Sequence, residues 1–354
     1  MKAWTRHIGL FVLLLTVILT RTEAFGSGGA KLIEWGWNTP TPTFVKEHIR
    51  EMEKVPFDGL VLDLTPNVPK NGAMRTFGWS CWSPEPLDLQ DYSGSLAALK
   101  GTEFRRFTDN FIRFNVTPGN VDWFDKGFSS VLLNASFAAK VAKSCRLKGI
   151  LFDIEHYEGS PFNYLSRPRR PSHSFAEYQA QVEKCGRDFM TALTLKYPEI
   201  TILLTYGYHL ADRGGGKPES KEYGLLSSFL DGMREAASPN SLIIDGWEFS
   251  YGYKVEEQYK AARDLIYKKA GARQISGPPD RCQCGFGIWL DNRKIWNGND
   301  FRLNYFSPEE FLASLRFAIK YSDRYVWIYS ELANWWNGQM PEDYISALIR
   351  ARTQ

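Results

Sequence analysis

Cysteine and histidine are scarce in this chain, with five of each in 354 residues. The cysteines are Cys81, Cys145, Cys185, Cys282 and Cys284, an odd number that would leave at least one thiol unpaired in an exported protein. One or two disulfides are possible, and the pairing cannot be read from the sequence. Cys282-Gln283-Cys284 is a lone C-x-C with no second ligand pair, which speaks against zinc. Excess charge of either sign is also lacking: the formal net charge is only +3, which gives no general attraction for nucleic acid. No Gly-rich phosphate loop follows the first apolar run, and no internal repeat, low-complexity tract or linker interrupts the sequence. Long apolar runs are confined to the N-terminus. Lys2 and Arg6 precede the apolar stretch Ile8–Thr20, and Thr22-Glu23-Ala24 has the small-x-small form of a cleavage site. The expectation is a signal peptide over 1–24 and a single domain over 25–354, secreted or periplasmic. It would need no cofactor or metal, and no membrane once the signal is gone.

What the sequence has in quantity is aromatic residues, 15% of the total and including 12 Trp. Short apolar runs alternate with amphipathic segments along the chain. The runs 31–37, 59–64, 111–119, 149–155, 200–208, 241–249, 285–291 and 325–331 read as strands. Helical spacing follows over 43–55, a segment including 103–108, 129–145, 174–197, 223–236, 255–270, 307–321 and 341–352. Ser174 and Ser307 read as helix caps, the latter with Pro308 and Glu310 completing a capping box. Residues 65–93, rich in Pro, Gly and Trp, read as an insertion. Eight strands alternating with eight helices predict an α/β fold, a single (β/α)8 TIM barrel. The runs are continuously apolar, as strands covered on both faces should be. An open doubly wound sheet is the competing architecture.

Barrels of this kind place function at the C-terminal strand ends. There the sequence supplies Trp35 and Trp37, Asn115, then Asp153, Glu155 and His156, then Tyr206 and Tyr208, then Glu248 and Tyr251, then Trp289 and Asp291, and last Trp327, Tyr329, Glu331 and Trp335. Asp153 and Glu155 alternate with apolar residues, so they share one face, with Cα atoms roughly 6.5–7 Å apart. Carboxylates supply acid, base or nucleophile, and aromatic rings supply a stacking surface for flat amphipathic ligands. The combination predicts a carbohydrate substrate and glycosidic cleavage, with Glu155, Asp153 and Glu248 as the catalytic set. The other strand-end residues are expected to contact the sugar.

The stretch "KGILFDIEHY" resembles the strand-four signature of the family 18 glycoside hydrolases, the chitinase-like enzymes. That signature reads D-G-x-D-x-D-x-E. Gly149, Asp153 and Glu155 match it, while Lys148 and Leu151 stand where its first two Asp residues would be. The resemblance implies that Glu155 is the proton donor. It also implies that Asp153 orients a substrate N-acetyl group, with Tyr251 or Tyr206 bonded to that group. A scheme without an acetamido group is that of the α-galactosidase-like clan, in which one carboxylate ends strand four and the other ends strand six. Asp153 or Glu155, with Glu248, hold those positions here. A carboxyl separation of about 5–5.5 Å would mean retention and roughly 6.5–9.5 Å inversion. Two other readings stay open: a non-catalytic sugar-binding barrel, and a metal-dependent hydrolase. The latter would want a His-x-His or comparable cluster, whereas only His156 and His209 lie at strand ends.

Overall fold

The computed structural model describes residues 29–37, 39–69, 74–273 and 282–353. The expected signal segment lies outside the described residues. Nine parallel strands form one sheet: β1 (Lys31–Gly36), β2 (Gly59–Leu62), β3 (Phe111–Asn115), β4 (Gly149–Asp153), β5 (Thr201–Leu204), β6 (Leu242–Asp245), β7 (Cys282–Cys284), β8 (Phe286–Trp289) and β9 (Tyr325–Ser330). Their order is β7-β6-β5-β4-β3-β2-β1-β9-β8. β7 and β8 are one run broken at Gly285; the first half pairs with β6 and the second with β9. Both edges of the sheet thus meet in the same run, and the barrel closes. This is the predicted TIM barrel, with its seventh strand in two pieces.

The helices are α1 (Pro42–Met52), α2 (Ser93–Lys100), α3 (Phe128–Ser144), α4 (Phe175–Thr194), α5 (Tyr208–Asp212), α6 (Leu226–Glu235), α7 (Glu256–Gly271), α8 (Pro308–Tyr321) and α9 (Glu342–Arg350). Among the described residues none is long and apolar enough to cross a membrane. Ser174 and Ser307 cap α4 and α8 in full capping boxes with Glu177 and Glu310, satisfying amides that the helix itself leaves unpaired.

Side-chain alternation sorts the strand residues into two cores. Leu32, Leu60, Ile112, Phe114, Ile150, Phe152, Ile202, Ile243, Ile288, Val326 and Ile328 pack outward with the helices. Ile33, Trp35, Val61, Phe111, Leu151, Leu203, Ile244, Tyr325, Trp327 and Tyr329 fill the barrel interior. Gly149 is needed where β4 meets β5, since a Cβ there would fall 1.9 Å from the Thr201 carbonyl oxygen.

Several expected elements differ. No helix forms over 103–108. Instead the Glu53 carboxylate collects the N–H groups of Arg105, Arg106 and Phe107, holding that segment in a non-helical turn, while the helix before β3 is α2. The fifth strand stops at Leu204, and Tyr208 opens α5 rather than ending a strand. The third and sixth strands also end early, at Asn115 and Asp245. All five cysteines are free and buried, so none is in a disulfide.

Candidate active site

Interior alternation carries chemistry to the C-terminal mouth of the barrel. On β4, Leu151 faces inward, so Asp153 and then Glu155 follow on the same face. On β3, Phe111 faces inward and so does Arg113. The inward row of β9 runs Tyr325, Trp327, Tyr329 and on to Glu331. These rows converge on a cavity of about 270 Å³ lined by Trp35, Gly36, Trp37, Arg113, Glu155, Tyr157, Glu248, Tyr251, Trp289, Tyr329 and Glu331.

The acidic centre has a fixed geometry. The Tyr157 hydroxyl lies 2.8 Å from Glu155 Oε2 and 2.9 Å from Asp153 Oδ2. Asp153 Oδ1 accepts the Glu155 N–H at 3.2 Å, and Arg113 Nη2 sits 3.6 Å from Asp153 Oδ2. Arg113 is itself held. Its Nε donates to Asn115 Oδ1 at 3.0 Å, and its guanidinium lies 4.7 Å from the Trp79 ring and 5.5 Å from the Trp35 ring. Burial pushes the Glu155 carboxyl up to about 7, and the neighbouring Asp153 charge adds to this; Tyr157 and Arg113 work in the other direction. Burial also raises Asp153, against the pull of Arg113.

Glu248 arrives differently. β6 ends at Asp245, whose carboxylate accepts the Trp247 N–H at 3.1 Å. Trp247 adopts a left-handed conformation, φ 41° and ψ 62°, which costs a non-glycine residue about 1–3 kcal/mol. The turn is then fixed by the Glu248 N–H, which donates to the Thr205 carbonyl at 3.0 Å, and by Ser250 Oγ, which lies within hydrogen-bond reach of both the Trp247 carbonyl at 2.6 Å and the Gly287 carbonyl at 2.8 Å. It delivers Glu248 into the cavity wall, where Oε2 has no hydrogen-bond partner among the described residues. Burial raises the Glu248 carboxyl well above the ordinary range, and the charges of Glu155 and Asp153 raise it further; the Tyr206 and Tyr251 hydroxyls offset part of this.

Of the residues singled out from the sequence, Glu155, Glu248, Trp35, Trp37, Tyr251, Trp289, Tyr329 and Glu331 line the cavity. Asp153 is buried behind Glu155. Trp327 lies beneath, its ring 5.1 Å from Trp35 and 5.2 Å from Tyr251, and its indole donates to the Gly246 carbonyl. Tyr206 adjoins Glu248 and packs on Phe249. Asn115 is buried and orients Arg113 instead of facing the cavity.

Four residues point elsewhere. His156 stacks on Tyr223 at 4.0 Å, and burial pushes its imidazole down to about 3, leaving it neutral. Tyr208 donates to Asp231 beneath α5 and α6. Trp335 packs edge-on against Phe57 in the outer core. Asp291 accepts the Trp289 indole N–H and the backbone N–H groups of Glu331, Leu332 and Ala333, so both its oxygens are engaged in holding two cavity loops together.

The structure adds Arg113, Tyr157 and Trp79. Arg113 is a lone cation inside the apolar run "FIRFN", and a buried cation needs a partner. That was its signal, and the interior face shared with Asp153 names the partner. Among the described residues no three or more His, Cys, Asp or Glu side chains are grouped as a metal-ligand set.

No family model matches the chain, and no curated protein matches its sequence. Its fold, however, is shared with solved structures. A GH5-4 broad specificity endoglucanase from Clostridium longisporum aligns over 93% of this chain and 97% of its own, with a TM-score of 0.50 and 8% identity. A GH5-4 broad specificity endoglucanase from Bacteroides salanitronis aligns over 93% and 94%, with a TM-score of 0.50 and 11% identity. At such identities the likeness shows the barrel fold, one that glycoside hydrolases use. A GH18 chitinase from Flavobacterium johnsoniae aligns over 91% and 94% with 10% identity, but at a TM-score of 0.40 it carries no argument. The strand-four resemblance therefore rests on Gly149, Asp153 and Glu155 alone.

Proposed function

We propose that this protein is a secreted glycoside hydrolase in which Glu155 is the general acid and Glu248 the second carboxylate. The observation that carries the proposal is the pairing of half-buried Glu155 with buried Glu248, each with a raised pKa, on one cavity walled by Trp and Tyr rings. Aromatic faces stack on the apolar faces of sugars. A carboxyl that holds its proton near neutral pH can protonate a leaving glycosidic oxygen.

Glu155 gives its proton to the leaving oxygen, which takes the electron pair of the breaking C–O bond. Ionised Glu248 is costly in the empty site, because it is buried and Asp153 already brings negative charge, so it must release its proton to solvent before it can act as a carboxylate. The positive charge that develops on the sugar removes that cost, so Glu248 interacts more strongly with the transition state than with the ground state. It then assists the incoming water, directly or through a glycosyl ester. Both Asp153 oxygens are engaged by Tyr157, Glu155 and Arg113. This supports a role behind Glu155, tuning its proton affinity, over direct contact with an N-acetyl group.

The test is a hydrolysis screen on polysaccharides and aryl glycosides, with and without N-acetyl groups. Sugar release by the wild type, lost in a Glu155→Gln, Glu248→Gln double variant, is the expected result. Release that survives undiminished in the double variant would refute the assignment.

A further inference from the structure

We infer that the cavity is a pocket closed at both ends, so that this protein removes single terminal sugars and does not cut within a chain. The inference rests on the glycoside hydrolase reading above and specifies its substrate as a chain end.

One wall is the segment 74–82, which folds over the mouths of β2, β3 and β4. Its Trp79 ring stands 6.0 Å from Trp37, 4.9 Å from Tyr157 and 4.7 Å from the Arg113 guanidinium. The segment is tied down at several points. Arg75 Nη2 reaches both oxygens of Glu158 at 2.8 Å, and Arg75 Nε donates to the Trp79 carbonyl at 2.6 Å. Thr76 Oγ1 and the Gly78 N–H donate to Asp63 at 2.6 and 2.9 Å. The wall is therefore anchored to β2 and to the loop that carries Glu155.

The opposite wall comes from the loops after β8 and β9. Lys294 Nζ lies 2.9 Å from Glu331 Oε2, and Glu331 lines the cavity. Arg293 and Lys294 both have left-handed backbones, φ 64° and 59°, an arrangement that non-glycine residues adopt only where the surroundings enforce it. Asp291 locks the Glu331 side by collecting three consecutive N–H groups.

Size agrees with closure. A cavity of about 150 Å³ takes one benzene ring. At about 270 Å³ this one is of the size that a single pyranose with its substituents would fill. With Glu155 and Glu248 in its lining, the bond to be cut is the one joining a sugar held there to the rest of the chain.

The experiment uses reducing-end-labelled hexasaccharides of the cellulose, xylan and chitin series, with products separated at early times. The expected products are a monosaccharide and a chain one unit shorter, with no cleavage when the non-reducing end is capped. Internal fragments of mixed length at early times would overturn the inference. Trp79→Ala, and independently Glu158→Gln, should open the wall and raise the share of internal products several-fold. Calorimetry with the Glu155→Gln variant separates the two possible failures. Capped chains that bind as well as uncapped ones overturn the closed pocket. End-dependent binding without hydrolysis by the wild type supports the pocket and overturns the hydrolase reading.

Discussion

The hydroxyl of Tyr157 lies 2.8 Å from Glu155 Oε2 while also lying 2.9 Å from Asp153. A phenol has one hydrogen, so it can donate to only one of two carboxyls. The two carboxyls therefore compete for that hydrogen, and burial together with their mutual repulsion favours a retained proton at this site. Glu155, raised to about 7, is the group suited to hold it.

The alkaline limb of the activity profile should therefore fall as pH passes about 7, where Glu155 loses its proton. The Tyr157 hydrogen bond lowers the Glu155 pKa and the Asp153 charge raises it. Tyr157→Phe should move the limb upward and Asp153→Asn should move it downward. Profiles of kcat/KM against pH check both signs, and a shift in the same direction for both would contradict the assignment.

Arg113→Met removes the cation that offsets buried Asp153 and half-buried Glu155. An uncompensated buried charge costs about 3–5 kcal/mol, which denaturant unfolding would read. Because Arg113 lowers both Asp153 and Glu155, its loss should also move the alkaline limb upward. Arg113→Lys should recover part of the stability and little of the cation–π packing between Trp35 and Trp79.

Glu34 offers a test away from the cavity. It faces the helices, and burial raises it from 4.5 to about 8. A raised folded-state pKa means its favourable contribution is full below about 4.5 and is lost as pH rises through about 8. The loss is on the order of 3–5 kcal/mol. Thermal melts across that window should show a shallower decline for Glu34→Gln than for the wild type. Parallel curves would mean that Glu34 titrates normally.

A Cβ at Gly207 would fall 2.0 Å from Asp245 Oδ2. Gly207→Ala should displace the carboxylate that fixes Trp247, and Glu248 with it. We expect a stability loss of about 1–3 kcal/mol. Steady-state kinetics should show kcat falling by more than KM rises. Wild-type kcat in a stably folded variant would show that Asp245 does not position Glu248.

The barrel was legible because buried parallel strands are apolar runs, and eight of them recur with helical spacing between. The shared face of Asp153 and Glu155 followed from period two alone, and the same rule sends Trp35 inward and Glu34 outward. Strand ends were less legible: the apolar pattern runs on through Tyr208, but the chain turns into α5 after β5 has ended. Asp291, His156 and Trp335 sit at strand ends in sequence, yet they are drawn away by contacts formed only in three dimensions, with the Glu331–Ala333 amides, Tyr223 and Phe57 respectively. Trp79 lay in a stretch without periodicity, and its place over Arg113 is set by the anchors of Arg75 and Gly78.

If Glu155 protonates the leaving oxygen, the kinetics of Glu155→Gln on two leaving groups must show it. General acid catalysis is worth about 10²–10⁴-fold. A loss of that size on a natural oligosaccharide, with a much smaller loss on an activated aryl glycoside of the same sugar, is the predicted result. Equal losses on both would instead make Glu155 the nucleophile and Glu248 the acid, and an unchanged rate would remove Glu155 from catalysis.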